Sequence, residues 1–214
     1  MKIPPGRSLL SFFCIAALSL LSYLNSLSGE FVLDDLPAIA QNRLIQDPPS
    51  VAAVAASQYW NATTPRNSWR PAVLLAYTAE WRLWRGRPEG FHAVSVALHA
   101  VAACLVFAVG LRVLSCPAAA FAAALVFAVH PIHTEVVANI SGRPELMAAT
   151  FVLCFLALRL AARDRTGWAR CAWEAAAAVA YGLALASKES AVVAPALALW
   201  VDAAVERQRP ACAS

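Results

Sequence analysis

Charged residues are scarce in this sequence. Asp, Glu, Lys and Arg make up only 14% of its 214 residues, whereas 60% are hydrophobic and the mean hydropathy is +0.59. A soluble domain usually carries about 25% charged residues, and so little polar surface could not cover a water-soluble core. The composition also excludes a disordered, a collagen-like or a nucleic-acid-binding chain. It predicts an all-α, polytopic integral membrane protein.

Metal and disulfide motifs are also lacking. None of the six cysteines has CxxC spacing or a histidine at metal-ligand distance, so neither a zinc site nor a disulfide framework is indicated. No A-x-A-like cleavage site follows the first apolar run, residues 9–27, which we therefore interpret as an uncleaved helix and not as a signal peptide. No inverted repeat is visible, which disfavours a transporter.

Long apolar runs are present, and they set the predicted organisation. A bilayer-spanning helix needs roughly 20 mostly apolar residues. After residues 9–27, further runs lie at about 91–114, 118–138, 144–162, 172–186 and 191–205, so about six spans are predicted. This predicts a first transmembrane helix in 1–28, an outer loop with interfacial helices in 29–90, a bundle of about five helices in 91–206, and a short tail in 207–214.

Threading these runs alternately through a membrane sorts the charges. With the N-terminus inside, the short Arg-rich connections fall on the inner side, as the positive-inside rule requires. The six arginines of the long first loop do not count against this orientation, because long loops translocate largely regardless of charge. The same threading gathers the chemically interesting residues on the outer side: Asp34, Asp35, His130, His133, Glu135, Arg143, Glu145, Lys188 and Glu189. Two sequons, at Asn61 and Asn139, also fall there.

The first candidate motif is the acidic pair Asp34-Asp35, just beyond the first helix. Two adjacent carboxylates near the interface are costly unless they are paired, solvated or used. One can act as a general base while the second orients it or holds a cation. The alternative is an N-cap for a short interfacial helix that begins near Pro37.

The second candidate is the stretch from His130 to Glu135, where the third span approaches the outer interface. Two imidazoles and a carboxylate at this spacing can converge on a phosphate, a metal or a transferred proton. Pro131 breaks the helical ladder and frees carbonyls that the protein must satisfy. The alternative is a polar helix end at headgroup level. His99, inside the second span, is either functional or held by an interhelical hydrogen bond.

Basic residues with nearby carboxylates form the remaining candidates. Arg143 lies two residues before Glu145, and Lys188 lies directly before Glu189. Each pair is either an interfacial ion pair, which is worth little for stability, or part of a clamp that holds a phosphate at the lipid surface. Arg70, in Trp69-Arg70-Pro71 of the loop, is a third cation, and interfacial tryptophans commonly anchor helices at this depth.

Taken in order, these residues resemble the N-terminal membrane half of one family: the transmembrane and tetratricopeptide-repeat-containing (TMTC-like) O-mannosyltransferases and their bacterial relatives, in the GT-C glycosyltransferase superfamily. The resemblance rests on Phe31–Asp35, Asn42, Trp69-Arg70-Pro71, Phe91-His92, Leu98-His99, His130–Glu135, Gly142-Arg143, Glu145-Leu146 and Ser187-Lys188-Glu189. The sequence departs from the family at Trp69, usually tyrosine, and at Ser95, often asparagine. It also carries no 34-residue helical repeats.

The resemblance implies a GT-C-like helical bundle that transfers a mannose-type sugar from a polyprenyl-phosphate donor to a hydroxyl of a protein or glycan acceptor on the outer side. In an inverting displacement, Asp34 would deprotonate the acceptor, with Asp35 as the alternative base or a cation ligand. Arg70, Arg143 and Lys188 would stabilise the donor phosphate. The residues expected to line the pocket or assist an acceptor or metal are His99, His130, His133, Glu135, Glu145 and Glu189.

Cofactors and partners follow from the same resemblance. No cofactor is certain, and a divalent cation is left open. The expected partners are the lipid-linked donor, membrane lipids and the acceptor, with no nucleic acid. The Ala- and Arg-rich composition favours a bacterial inner membrane over the endoplasmic reticulum, with a cytoplasmic N-terminus. The alternative function is a non-catalytic truncated homologue or membrane subunit that binds a lipid phosphate or a partner.

Overall fold

The computed structural model describes residues 5–60, 68–114 and 116–207, and every regular element in these ranges is helical. This confirms the all-α prediction. The sequon at Asn61 and most of the predicted tail lie outside the described residues. The α-helices are α1 (Pro5–Ser22), α2 (Arg43–Gln46), α3 (Val51–Ala56), α4 (Pro71–Trp84), α5 (Pro88–Val113), α6 (Pro117–Val129), α7 (Thr134–Val137), α8 (Arg143–Ala162), α9 (Gly167–Ser187) and α10 (Ala194–Arg207).

Two helical stretches are long and apolar enough to cross a membrane: α5, and Ile140–Ala162, which contains α8. A third becomes possible if α6 and Pro131–Val137, bent by 45° at the break between them, form one span. The described residues therefore form an all-α membrane protein. Helices also occupy the other three predicted spans, but α1 and α10 are shorter, and α9 carries Arg170 and Glu174 in its first turns. Six crossings therefore stay a prediction.

Proline marks where the longer helices begin and end. Pro71, Pro88, Pro117 and Pro144 lie at the first or second positions of α4, α5, α6 and α8. A backbone N–H in the first turn has no partner within the helix, so proline, which lacks this group, loses no hydrogen bond there. Its fixed φ also suits the helix already. Inside a helix the same residue removes a hydrogen bond, so α6 ends at Val129, two residues before Pro131.

Small residues let the membrane helices approach closely. In α6, Ala120, Ala124 and Ala128 recur every four residues and are buried in one cluster with Phe107 of α5. Gly110 of α5 continues this contact, since a Cβ at that position would lie 3.1 Å from the Cβ of Ala120. Stripes of small residues at this spacing are typical of helices that pack within a bilayer, where close van der Waals contact drives association.

The two ends of the bundle differ in chemistry. At one end, Arg159 of α8 pairs with Asp202 of α10 at 2.8 Å, and Arg112 of α5 pairs with Asp164 at 2.5 Å. Since these residues lie near the C-terminal ends of α5, α8 and α10, the three helices run in the same direction, as alternate threading predicts. We call this the arginine end, and the opposite end, where α5 and α8 begin, the motif end.

The long loop of the sequence folds into a cap on the motif end. Its helices α2, α3 and α4, with a π-helical turn at Leu36–Ala40, share a core that includes Ile39, Ile45 and Leu74. Phe91 of α5 and Met147 of α8 belong to the same core. The cap is therefore joined to the first turns of both helices, and this places the loop motifs beside those at the helix ends.

Candidate functional site

A cavity of about 470 Å³ lies at the motif end and gathers residues from distant parts of the chain. Its lining includes Asp34, Arg70, Glu135 and Glu145, together with Trp60, Asn139, Ser141 and Gly142. The first four were predicted as site residues, and they come from the loop, the start of α4, the segment after α6 and the first turn of α8. We call this the motif cavity.

The adjacent acids Asp34 and Asp35 have different surroundings. Asp34 is exposed and lines the motif cavity, whereas Asp35 is 0% exposed. The Asp35 carboxylate accepts hydrogen bonds from the backbone N–H groups of Val32, at 3.2 Å, and Ser141, at 2.7 Å. Leu33, just before the pair, has a φ of 48°, a left-handed conformation that costs a non-glycine residue roughly 1–2 kcal/mol. Strained backbone of this kind persists where surrounding contacts hold it.

Burial gives Asp35 the properties of an anchor. Desolvation raises the pKa of Asp35, while the N–H groups of Val32 and Ser141 act in the opposite direction because they favour the carboxylate. Both of its oxygens accept bonds from the protein itself. Of the two predicted catalytic acids, only Asp34 therefore has access to a molecule in the motif cavity.

The short 3₁₀ turn Ile140–Gly142 is held from several sides. Besides the bond from Ser141 to Asp35, Tyr77 donates its hydroxyl to the carbonyl of Ile140 at 2.6 Å, and Tyr59 donates to that of Ser141 at 3.4 Å. Burial raises the pKa of Tyr59 to about 12, so its hydroxyl stays protonated and can donate. The turn therefore fixes one wall of the cavity. In the sequence Ser141 stands out only as part of a sequon, and neither tyrosine was predicted as a site residue.

Two predicted phosphate ligands are paired with carboxylates: Arg70 lines the motif cavity, whereas Lys188 does not line it but pairs with Glu145, which does. Arg70 forms an ion pair with Glu189 at 3.2 Å and lies 5.1 Å from the ring centroid of Tyr59. Lys188 forms an ion pair with Glu145. A hydrogen bond from its own backbone N–H, and then Arg70, lower the pKa of Glu189. These pairs connect the segment after α9 to the cap and to α8.

Arg143 lies elsewhere and does not line the motif cavity. It is 0% exposed, and its guanidinium donates to Glu80 at 2.6 Å, to the Ser95 hydroxyl at 3.0 Å and to the Phe91 carbonyl at 2.7 Å. All three nitrogens thus have partners inside the protein, which favours a structural role over the predicted contact with a donor phosphate. Burial raises the pKa of Glu80, and Arg143 opposes that shift. Glu80 was not predicted as a site residue, although an acidic residue in the apolar helix α4 is a usable signal.

The three histidines predicted as site residues form a separate aromatic cluster beside α1, α5 and α6: His99, His130 and His133. The ring of His99 is buried and its Nε2 bonds to the Ala128 carbonyl at 3.1 Å, so the interhelical hydrogen bond named as the alternative for this residue is present. His133 lies next to it, with 5.1 Å between ring centroids, and Nδ1 of His130 accepts the N–H of Ile132 at 3.2 Å. None of the three lines the motif cavity. The His130 carbonyl, beside Pro131, accepts the Tyr23 hydroxyl at 3.2 Å.

Within residues 5–60, 68–114 and 116–207, no three His, Cys, Asp or Glu side chains come close enough together to hold a metal ion. Asn139, the second sequon, uses its side-chain oxygen to accept from the N–H of Ser141 at 3.2 Å and its hydroxyl at 2.8 Å.

Comparison with known proteins relates the chain to one group of enzymes. It is 30% identical over 168 residues to a protein O-mannosyl-transferase of Caenorhabditis elegans, an alignment that covers 74% of this chain and 24% of the relative. Tmtc3 of Drosophila melanogaster is 31% identical over 78% of the chain and 20% of the relative, and mouse TMTC1 is 38% identical over 72% and 17%. Both are named protein O-mannosyl-transferases.

The chain spans only about a fifth of the length of these curated relatives. No family model and no solved structure matches it. The related sequences are 30–38% identical over about 70% of the chain. The chain therefore belongs to the TMTC-like protein O-mannosyl-transferase family.

Proposed function

We propose that this chain provides the sugar-transfer site of a membrane O-mannosyl-transferase and that the motif cavity holds the reacting groups. The donor would be a polyprenyl-phosphate sugar of mannose type, and the acceptor a hydroxyl of a protein. The observation that carries the proposal is the convergence of Asp34, Arg70 and Glu145 on one cavity from separate parts of the chain. The names of the relatives supply the sugar and the acceptor class.

Asp34 is the general base of the proposed reaction. Its carboxylate accepts the proton of the acceptor hydroxyl while that oxygen attacks the anomeric carbon of the sugar. The bond from the anomeric carbon to the phosphate oxygen breaks, and polyprenyl phosphate leaves with the bonding electron pair. The configuration at the anomeric carbon is inverted. The buried neighbour Asp35 holds the turn that carries Asp34 against Ser141.

Arg70 and Lys188 stabilise the leaving phosphate in this proposal. Polyprenyl phosphate is already a good leaving group, so it needs charge stabilisation and no proton. Since Arg70 is paired with Glu189 and Lys188 with Glu145, a donor phosphate would exchange with these carboxylates. Arg143 is omitted from this set because Glu80, Ser95 and Phe91 occupy its nitrogens.

The position of the cavity suits a lipid-linked donor. It lies beside the first turn of α8, which belongs to a stretch able to span the membrane. The phosphate would be held at the surface while the prenyl chain stays between the helices. A bacterial inner membrane and a cytoplasmic N-terminus stay predictions; the relatives compared above are animal proteins, which do not favour the bacterial assignment.

An Asp34→Asn variant tests the proposed function. In membranes that contain the protein, we expect transfer of radiolabelled mannose from polyprenyl-phosphate mannose to an acceptor peptide to fall by a factor of about 10² or more, because amide nitrogen cannot take the proton. Asp47→Asn is the matched control, since Asp47 is exposed, belongs to the same loop and does not line the motif cavity.

Near-normal transfer by the Asp34→Asn variant would contradict the assignment of the base. If the wild-type protein binds a photoreactive polyprenyl-phosphate analogue at Arg70 and Lys188 but transfers no sugar, the non-catalytic alternative takes its place. If Arg70→Gln and Lys188→Gln leave this labelling unchanged, the motif cavity binds the lipid phosphate in neither the catalytic nor the non-catalytic function.

A further inference from the structure

Three arginines of the long loop have no part in the proposed reaction. Arg82, Arg85 and Arg87 are exposed and lie within residues 81–90, where α4 ends and α5 begins. In the part of the chain that the structure describes, none of their guanidinium groups forms an ion pair. We call residues 81–90 the arginine turn. Half of the six arginines in the loop are thus concentrated in ten residues.

The arginine turn is held in shape by two contacts between a ring and a glycine. The Trp84 ring lies against Gly90, where a Cβ would be only 2.2 Å from Cγ of that ring. The Trp81 ring lies against Gly86, which has a φ of 73°, and a Cβ there would be 2.9 Å from it. Arg85 between them is also left-handed, with a φ of 52°. The arginines are therefore displayed on a compact turn and not on an extended loop.

The helix that follows determines the depth of this turn in the membrane. Helix α5 has 26 residues and is long and apolar enough to cross a membrane. A crossing takes roughly 20 residues, so α5 is long enough for its first turn and the arginine turn to lie at headgroup level. Leu83 is 68% exposed and Trp84 38%, as expected of side chains that anchor a helix at the interface.

A cavity at the arginine turn provides space for a headgroup. It has a volume of about 640 Å³ and is lined by Trp84, Arg87, Pro88, Glu89 and Ala93. Its lining shares no residue with the motif cavity. The three arginines outnumber Glu89, the one acidic residue in 81–90, so the surface is positive. Guanidinium groups bind phosphate oxygens through paired hydrogen bonds.

We propose that the arginine turn binds the phosphate headgroup of an anionic phospholipid in the leaflet at the motif end. The site is separate from the sugar-transfer site, and the inference does not depend on the proposed function. It accounts for the positive charge of residues 81–90, which has no part in the proposed reaction. Trp84 and Leu83 would contact the upper part of the acyl chains, Arg87 at the cavity would contact the phosphate, and Arg82 and Arg85 on the same turn would add positive charge.

Quenching of Trp84 fluorescence by brominated lipid tests the proposal. The full chain is reconstituted in nanodiscs that contain brominated phosphatidylglycerol or brominated phosphatidylcholine, and the Trp84 signal is taken as the difference between wild type and Trp84→Phe. We expect phosphatidylglycerol to be preferred at this site by a factor of about five or more, the effect of one arginine at an anionic surface. The Arg82→Gln/Arg85→Gln/Arg87→Gln variant should lose the preference.

Arg43→Gln is the matched control, because Arg43 is an exposed arginine of the same loop in α2. It should keep the preference. Raising the salt concentration should weaken the preference of the wild type, which tests the electrostatic origin without any variant. Equal quenching by the two lipids, a preference that survives in the triple variant, or an equal loss in Arg43→Gln would each overturn the proposal.

Discussion

At the scale of single residues, identical side chains acquire different roles through their surroundings. Asp34 and Asp35 are neighbours in sequence, but the left-handed backbone at Leu33 and the N–H of Ser141 direct one into the protein and leave the other at the cavity. Arg70 and Arg143 differ in the same way, since Arg143 is enclosed with Glu80, 63 residues away, whereas Arg70 borders the cavity. Chemistry at this site depends on which member of each pair is accessible.

Asp35→Asn should change how stability depends on pH. Burial raises the pKa of Asp35 in the folded state, so folding favours its protonated form. Asp35 therefore contributes fully to the free energy of unfolding at pH values below its pKa in the unfolded chain. This contribution is lost as the pH rises through its pKa in the folded protein. We expect the free energy of unfolding of the wild type minus that of Asp35→Asn to decrease as the pH rises above about 4, the ordinary pKa of an aspartate in the unfolded chain.

Chemical denaturation in detergent at a series of pH values measures this difference. Asp47→Asn, at an exposed position of the same loop, should show no comparable trend. A difference that stays constant or increases with pH would show that the bonds from Val32 and Ser141 outweigh the cost of burying the Asp35 carboxylate.

At the scale of elements, the break at Pro131 and the turn at Gly142 bring Glu135 to the cavity. Carbonyls near the end of α6 find partners on other elements, since Ala128 bonds to His99 and His130 to Tyr23. The chain then bends by 45° between α6 and Pro131–Val137, and Gly142 packs against the backbone of Glu135 and Val136, which lie just after this bend. A Cβ at Gly142 would lie 2.7 Å from Cα of Val136 and 2.8 Å from the carbonyl oxygen of Glu135.

Gly142→Ala should therefore destabilise the protein. Backbone atoms cannot move aside as a flexible side chain can, and overpacking of this kind costs about 1–3 kcal/mol. Gly182→Ala is the matched control, because nothing lies within 4 Å of a Cβ at that position in α9. There we expect a gain of roughly 0.5–1 kcal/mol from the better helix propensity of alanine. Denaturation in detergent compares the two, and equal effects would show that Gly142 is not closely packed.

At the scale of the whole molecule, the bundle has an arginine end and a motif end. Arg112, Arg159 and Arg163 form ion pairs at one end, and the two cavities lie at the other. These pairs are partly or fully exposed, and ion pairs that stay in contact with solvent contribute little to stability, so their main consequence is the distribution of charge across the membrane. This distribution leads to a test of topology that uses cysteines already present in the chain.

Cys116, before α6, and Cys171, in the first turns of α9, are both exposed and belong to the arginine end. We expect a membrane-impermeant thiol reagent to label both from the same side of sealed vesicles, and to label Ser190→Cys, next to Glu189 at the motif end, from the other. Cys116→Ser and Cys171→Ser identify the labelled residue. Labelling of Cys116 and Cys171 from opposite sides would require a different path for the helices between them.

The sequence by itself determined which segments are helical and where the longer helices begin, because apolar run length and proline positions are local properties of the chain. It also determined which end of the bundle carries the ionisable motifs, because the alternation of charge along the chain is local too. Only the tertiary structure decided which residues border the cavity. The bond from Ser141 to Asp35 joins residues 106 apart, and the packing of Arg143 with Glu80 joins residues 63 apart. Access to a site depends on such distant contacts, since burial is a property of the packed bundle and not of the neighbouring residues.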